Sequence, residues 1–114
     1  MKYNMVWDKI WGSNLFSQEV YQKELAYYLE KNMEYGVPLD NRDYYAKSDW
    51  ILWCAAMAEN REQAEQLIKP VAHYAKNSPS RVPFADWYQA NEGINCMFIA
   101  RTVQGGIFMP MLLH

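Results

Sequence analysis

The chain has 114 residues, which is room for one domain and excludes two of ordinary size. Hydrophobic residues at 51% against 21% charged exclude a disordered chain. Eleven Lys and Arg against thirteen Asp and Glu, with no run of one sign, argue against a nucleic-acid partner, which needs a clustered positive surface. No apolar stretch reaches the roughly 20 residues of a bilayer span, so no membrane partner is expected. Residues 1–4 lack the apolar core of a signal peptide. Nine Tyr, five Trp and four Phe are many large rings for a chain able to bury only about two-thirds of its unfolded surface. The excess implies that some rings pack on a ligand, a partner or the rest of a larger fold.

In chain order, residues 3–11 place Val6, Trp7, Ile10 and Trp11 on one helical face, and Gly12-Ser13-Asn14 breaks the pattern. Ser17 stands where it can cap a second helix running to about Met33, with Tyr21, Leu25, Tyr28 and Leu29 on one stripe. Residues 36–47 are polar and irregular. Ser48 then has the character of an N-cap, with Asp49 in the first turn, where a negative charge suits the helix dipole. The helix over residues 50–58 is apolar nearly all round, the pattern of a buried central helix, and Cys54 within it reads as a core thiol.

Asn60 with Gln63 forms a capping-box pair for the next helix. Its stripe is Ala64, Leu67, Ile68, Val71, Ala72 and Ala75, and Pro70 predicts a kink or a break. A second irregular segment covers residues 81–95, and a last helix is expected over residues 97–113. In that helix Gly105-Gly106 permits close approach of a neighbour, and Met97, Met109 and Met111 fill core gaps. The fold class is therefore all-α, with about five helices in a single helical segment, residues 1–114, and no convincing strand pattern.

The two irregular segments carry the chemistry. One holds Asp40, Arg42, Asp43 and Lys47, followed directly by Asp49; the other holds Arg81, Asp86, Trp87 and Tyr88. Carboxylates and guanidinium groups among rings suit a polar uncharged ligand, and paired carboxylates suit acid–base chemistry. Each residue also has a structural reading. Asp40 and Asp43 can be turn residues, Asp49 a helix-terminus charge, and Asp86 the ion-pair partner of Arg81 or Arg101. His73 lies beside an apolar stripe and reads as structural or surface. Neither Cys54 nor Cys96 has a second Cys or His at metal-ligand spacing, so no metal or other cofactor is expected.

Several stretches resemble the closing section of the glutaminase A family. These are residues 35–42 (YGVPLDNR), Lys47-Ser48-Asp49-Trp50 with Trp53, residues 79–88 (PSRVPFADWY) and residues 100–108 (ARTVQGGIF). Residues 3–9 with Leu15-Phe16 are similar in style. Residues 43–46, Gln89-Ala90 and Asn95-Cys96-Met97 depart from the family pattern. The resemblance implies the last helical hairpins of an (α/α)6 toroid of the six-hairpin glycosidase-like kind. The parent would be longer, β-rich before the toroid and extracytoplasmic, and would hydrolyse glutamine to glutamate and ammonia. On that reading this C-terminal piece is inactive alone and prone to self-association. Asp40, Asp49 and Asp86 would be acid–base or amine-binding groups. Arg42, Lys47 and Arg81 would bind the substrate carboxylate, and Trp50, Trp87 and Tyr88 would form the wall for a small amide. The same architecture with carboxylates among rings serves sugar-like ligands equally well, so a glycan-binding or glycan-processing module is the alternative.

Overall fold

The continuous apolar run after Lys47 becomes the centre of the molecule. The computed structural model describes residues 1–113. They form a 3-10 turn (Tyr3–Met5), α1 (Val6–Trp11), α2 (Gln18–Glu30), β1 (Tyr45–Lys47), α3 (Ser48–Ala56), α4 (Arg61–Asn77), β2 (Trp87–Gln89) and a C-terminal 3-10 segment (Thr102–Leu112). The chain is mostly helical, as its periodicity predicts. Helix α3 buries Ser48, Asp49, Ile51, Leu52, Cys54, Ala55 and Ala56, nearly its whole circumference, and packs against α4, α1 and the C-terminal segment. Cys54 is a core thiol, and burial pushes its proton affinity up.

The first helix stops where Gly12 adopts a left-handed conformation (φ 63°), which glycine adopts without penalty. Asp8 then holds the following loop, accepting hydrogen bonds from the Leu15 and Phe16 amides (2.8 and 3.3 Å) and the Tyr21 hydroxyl (2.6 Å). Tyr21, Leu25 and Tyr28 form the buried stripe of α2, with Leu29 half-buried. This helix ends at Glu30 rather than near Met33. Ser17 makes no side-chain cap; its carbonyl accepts from the Val20 and Tyr21 amides instead.

At the start of α4, Asn60 accepts from the Gln63 amide at 2.9 Å, as a capping box requires. The return bond lands one residue early, from the Glu59 amide to Gln63 Oε1 (3.1 Å). The helix runs unbroken through Pro70. Its buried stripe is Ala64, Leu67, Val71 and Tyr74, whereas Ala72 and Ala75 face solvent. The larger apolar body takes the inward position: the Tyr74 ring stacks on Tyr88 at 3.7 Å with planes 6° apart.

Two expectations fail here. A small antiparallel sheet, β1 with β2, lies inside the segments read as irregular, in the register Tyr45↔Gln89, Ala46↔Tyr88 and Lys47↔Trp87. Three-residue strands are too short for alternation to show in sequence. The C-terminal segment is a 3-10 helix over Thr102–Leu112, not an α-helix from Met97, because Met97 and Ala100 take left-handed backbone conformations (φ 59° and 54°) that interrupt it. Of its methionines only Met109 enters the core; Met97 and Met111 are exposed. Close approach at the glycine pair is confined to Gly106, since a Cβ on Gly105 would meet nothing within 4 Å.

Candidate functional site

The register of the small sheet assembles the site. Pairing Lys47 with Trp87 places Asp86, the preceding residue, beside the start of α3, and the Asp86 carbonyl accepts the Ser48 amide at 2.9 Å. Ser48 is thus the first residue of the helix, and Lys47 occupies the cap position. The Ser48 hydroxyl donates to Gln104 Oε1 (3.3 Å), and Gln104 Nε2 donates to the Phe84 carbonyl (2.8 Å). Those two bonds tie the C-terminal segment to α3 and to the loop before β2.

Four charged side chains converge there. Asp86 is fully buried. Arg101 grips it with both Nε (3.0 Å) and Nη2, and Lys47 Nζ lies 3.1 Å from Asp86 Oδ2. Lys47 Nζ is 3.9 Å from Asp49 Oδ1 and 4.4 Å above the Trp50 ring. The Trp50 ring in turn stacks on Tyr3 at 3.9 Å, and the Arg101 guanidinium lies 4.3 Å over Phe98.

Burial acts on the two carboxyls with opposite outcomes. It pushes Asp86 up, but hydrogen bonds and charge from Arg101 and Lys47 outweigh it and hold the group below the usual carboxylate range. Burial also pushes Asp49 up, and there it wins. Lys47, from a distance, and the Trp50 and Asp49 backbone amides oppose it without overcoming it, and the negative Asp86 adds to it. Asp49 Oδ1 has no hydrogen-bond partner among the described residues, and neither does the buried Trp53 Nε1 one turn along the same helix.

The family model of the glutaminase A six helical-hairpin domain matches residues 1–111. The chain belongs to the glutaminase A six helical-hairpin family. It is 35% identical over 114 residues to a Glutaminase A of Aspergillus oryzae, covering 97% of this chain and 16% of that protein. It is 32% identical over 102 residues to a protein of Arthroderma benhamiae named "Probable glutaminase", covering 85% of this chain and 12% of that one. The chain therefore spans less than a fifth of either relative. No solved structure matches it.

Three of the stretches that resemble the glutaminase A family meet at the cluster: Lys47-Ser48-Asp49-Trp50, residues 79–88 through Asp86, and residues 100–108 through Arg101, Gln104 and Gly106. Asp40 and Arg42 do not join it. They bond to each other, Arg42 Nε and Nη2 to Asp40 Oδ2 at 2.9 and 2.5 Å and the Arg42 amide to Oδ1 at 2.9 Å, which is a turn motif. The Arg42 hydrogen bonds hold Asp40 down to about 2. Both line a separate cleft of about 870 Å³ with Lys2, Glu24, Tyr27 and Tyr44. Arg81 is exposed and forms no ion pair among the described residues. Trp87 is half-buried between Tyr45 and Phe98. Tyr88, expected in a ligand wall, belongs to the core: fully buried, it donates its hydroxyl to the Tyr35 carbonyl at 2.7 Å. Asp86 pairs with Arg101 rather than Arg81. Sequence reasoning left Arg101, Gln104, Trp53 and Gly106 out of the site, although residues 100–108 had marked their neighbourhood.

Proposed function

We propose that this chain supplies one side of the active site of a glutamine amidohydrolase, as the C-terminal helical hairpins of a larger, extracytoplasmic α/α toroid. The observation that carries the reading is the unlike surroundings of two neighbouring buried carboxyls: Arg101 and Lys47 hold Asp86, whereas Asp49 Oδ1 has no hydrogen-bond donor among the described residues. Groups whose surroundings push their proton affinities apart are suited to separate roles in acid–base chemistry. Asp49, with its raised proton affinity, is the group that exchanges a proton. Asp86 stays ionised and holds Lys47 and Arg101. In hydrolysis Asp49 takes a proton from water as the water oxygen bonds to the carboxamide carbon. Lys47 stabilises the negative charge that develops on the amide oxygen. The C–N bond then breaks, Asp49 returns the proton to the leaving nitrogen, and glutamate and ammonia result. Family membership and the names of the two relatives support glutamine as the substrate.

A chimera tests it. Grafted in place of the matching segment of the Aspergillus oryzae protein, this chain should sustain ammonia release from L-glutamine. Asp49→Asn should cut that rate about 100-fold or more with circular dichroism unchanged. A folded chimera as active with Asn as with Asp at this position overturns the assignment.

A second reading, a glycan-binding module, draws on the cleft that contains Asp40 and Arg42. Tyr27 and Tyr44 offer half-exposed rings there beside carboxylates and cations, the pairing that sugars favour. Oligosaccharide binding with no ammonia release would favour it.

A further inference from the structure

We infer that Gly106 is a positioning residue for Asp49: its missing side chain lets the C-terminal segment seat against α3 beside Asp49 and shield one side of its carboxylate from bulk solvent, leaving the other for the reacting water. The inference rests on the reading of Asp49 as the proton-exchanging group and adds the element that makes it so.

The geometry is specific to this glycine. A Cβ built on Gly106 would lie 2.9 Å from Asp49 Cβ and 2.8 Å from Trp53 Nε1, both closer than real side chains tolerate. Asp49 and Trp53 are four residues apart on α3 and share a face, so one glycine covers both. Under that cover lie Asp49 Oδ1 and Trp53 Nε1, a buried acceptor and a buried donor that make no hydrogen bond among the described residues, Lys47 Nζ standing 3.9 Å from the carboxylate oxygen. A buried carboxylate oxygen without a donor disfavours the charged form. Just ahead of Gly106 the chain is fastened by Gln104, through Ser48 and Phe84, and by Arg101, through Asp86. The charged groups facing Asp49 are Lys47 from β1, Asp86 from the loop before β2 and Arg101 from the approach to the segment. On α3 itself the only other titratable side chain is Cys54. None of these groups is among the nearest neighbours that a methyl group on Gly106 would meet. Gly105 provides the internal control, since its Cβ would project into open space.

The test is a carboxyl ¹³C NMR titration of Asp49 in the chain, assigned with Asp49→Asn. In Gly106→Ala the Asp49 midpoint should move to lower pH as water reaches the carboxylate, while Gly105→Ala leaves it in place. An unchanged midpoint in folded Gly106→Ala, or an equal shift in Gly105→Ala, overturns the inference. Should Gly106→Ala fail to fold, the wild-type chain still decides. The Trp53 indole N–H, sealed under Gly106, should exchange with solvent far more slowly than that of Trp11, which is 73% exposed. Equal exchange rates would overturn it. Neither measurement depends on turnover. A chimera indifferent to Asp49→Asn would therefore sink the catalytic reading and leave the positioning result standing. With both intact, Gly106→Ala should shift the acid limb of the chimera's kcat profile to lower pH.

Discussion

Asp86 is a carboxylate with no exposed surface whose two oxygens answer two cations, and that balance has consequences when either side is removed. Asp86→Ala leaves Lys47, 13% exposed, and Arg101, 34% exposed, without their shared partner. Breaking a buried pair in this way costs about 3–5 kcal/mol, and the lower end applies because Arg101 retains some solvent. Urea denaturation at pH 7 should show that loss; a change within about 0.5 kcal/mol, the range of ordinary surface substitutions, would mean the cluster is not a stabilising element. The pH dependence follows from the directions. Asp86 has a folded value below its unfolded value of 3.8, so its contribution is complete above that pH and is lost as pH falls through the folded value. Asp49 has a folded value above 3.8, so its contribution is complete below that pH and is lost as pH rises through the folded value. Asp49→Asn should thus stabilise the chain at neutral pH, and Asp86→Asn should flatten the acid limb of its stability curve. Both cationic partners lie far from Asp86 in sequence, so spacing alone offered Arg101 only as an alternative to Arg81 and did not announce Lys47 as a partner.

Among the elements, legibility followed pattern length. Helices α2, α3 and α4 each repeat their apolar spacing over two turns or more, and the sequence placed them within a few residues. The β1–β2 pair has three residues a strand, and what holds it is tertiary. Tyr88 stacks on Tyr74 and reaches the Tyr35 carbonyl, and the Tyr35 amide donates to the Ala90 carbonyl at 2.9 Å. Gly36 is the hinge of that arrangement. Its φ of 149° is a conformation that L side chains rarely adopt, and a Cβ there would lie 2.9 Å from both the Tyr88 hydroxyl and Ile51 Cδ1. Gly36→Ala should therefore destabilise the chain by about 1–3 kcal/mol, the range for a strained backbone position, and loosen β1 and β2 before the helices. Hydrogen exchange should show the Tyr88 and Gln89 amides losing protection first. A variant with unaltered protection there would refute the role given to Gly36. The C-terminal segment misled for the opposite reason. Residues 97–113 are mostly apolar, with Arg101, Thr102, Gln104 and two glycines at no clean helical period, so nothing in their spacing distinguishes an α-helix from a 3-10 helix held by its neighbours.

Across the whole molecule, the ring excess read from composition resolves into two populations. Tyr3, Trp7, Trp50 and Trp53 pack into one internal array along α1 and α3, and Tyr74 with Tyr88 into another. Those rings have partners within the chain. Trp11 at the end of α1 and Leu15 and Phe16 after it do not bury their surface, nor do Phe98, Ile99, Val103, Phe108, Met111 and Leu112 at the other end of the sequence. Scattered exposed apolar residues are ordinary, but this many within residues 97–112 form the kind of surface that marks an interaction site. In solution such a surface favours association of copies, because burying it removes apolar area from water at roughly 25 cal/mol per Å². The chain should accordingly sediment at equilibrium as a dimer or larger species, with a mass that rises with concentration. Phe108→Asp with Met111→Asp, both on exposed positions, should return it to the monomer without altering its circular dichroism. A chain that is monomeric across the concentration range, or one whose association survives both aspartates, would show that the C-terminal face is not what holds copies together.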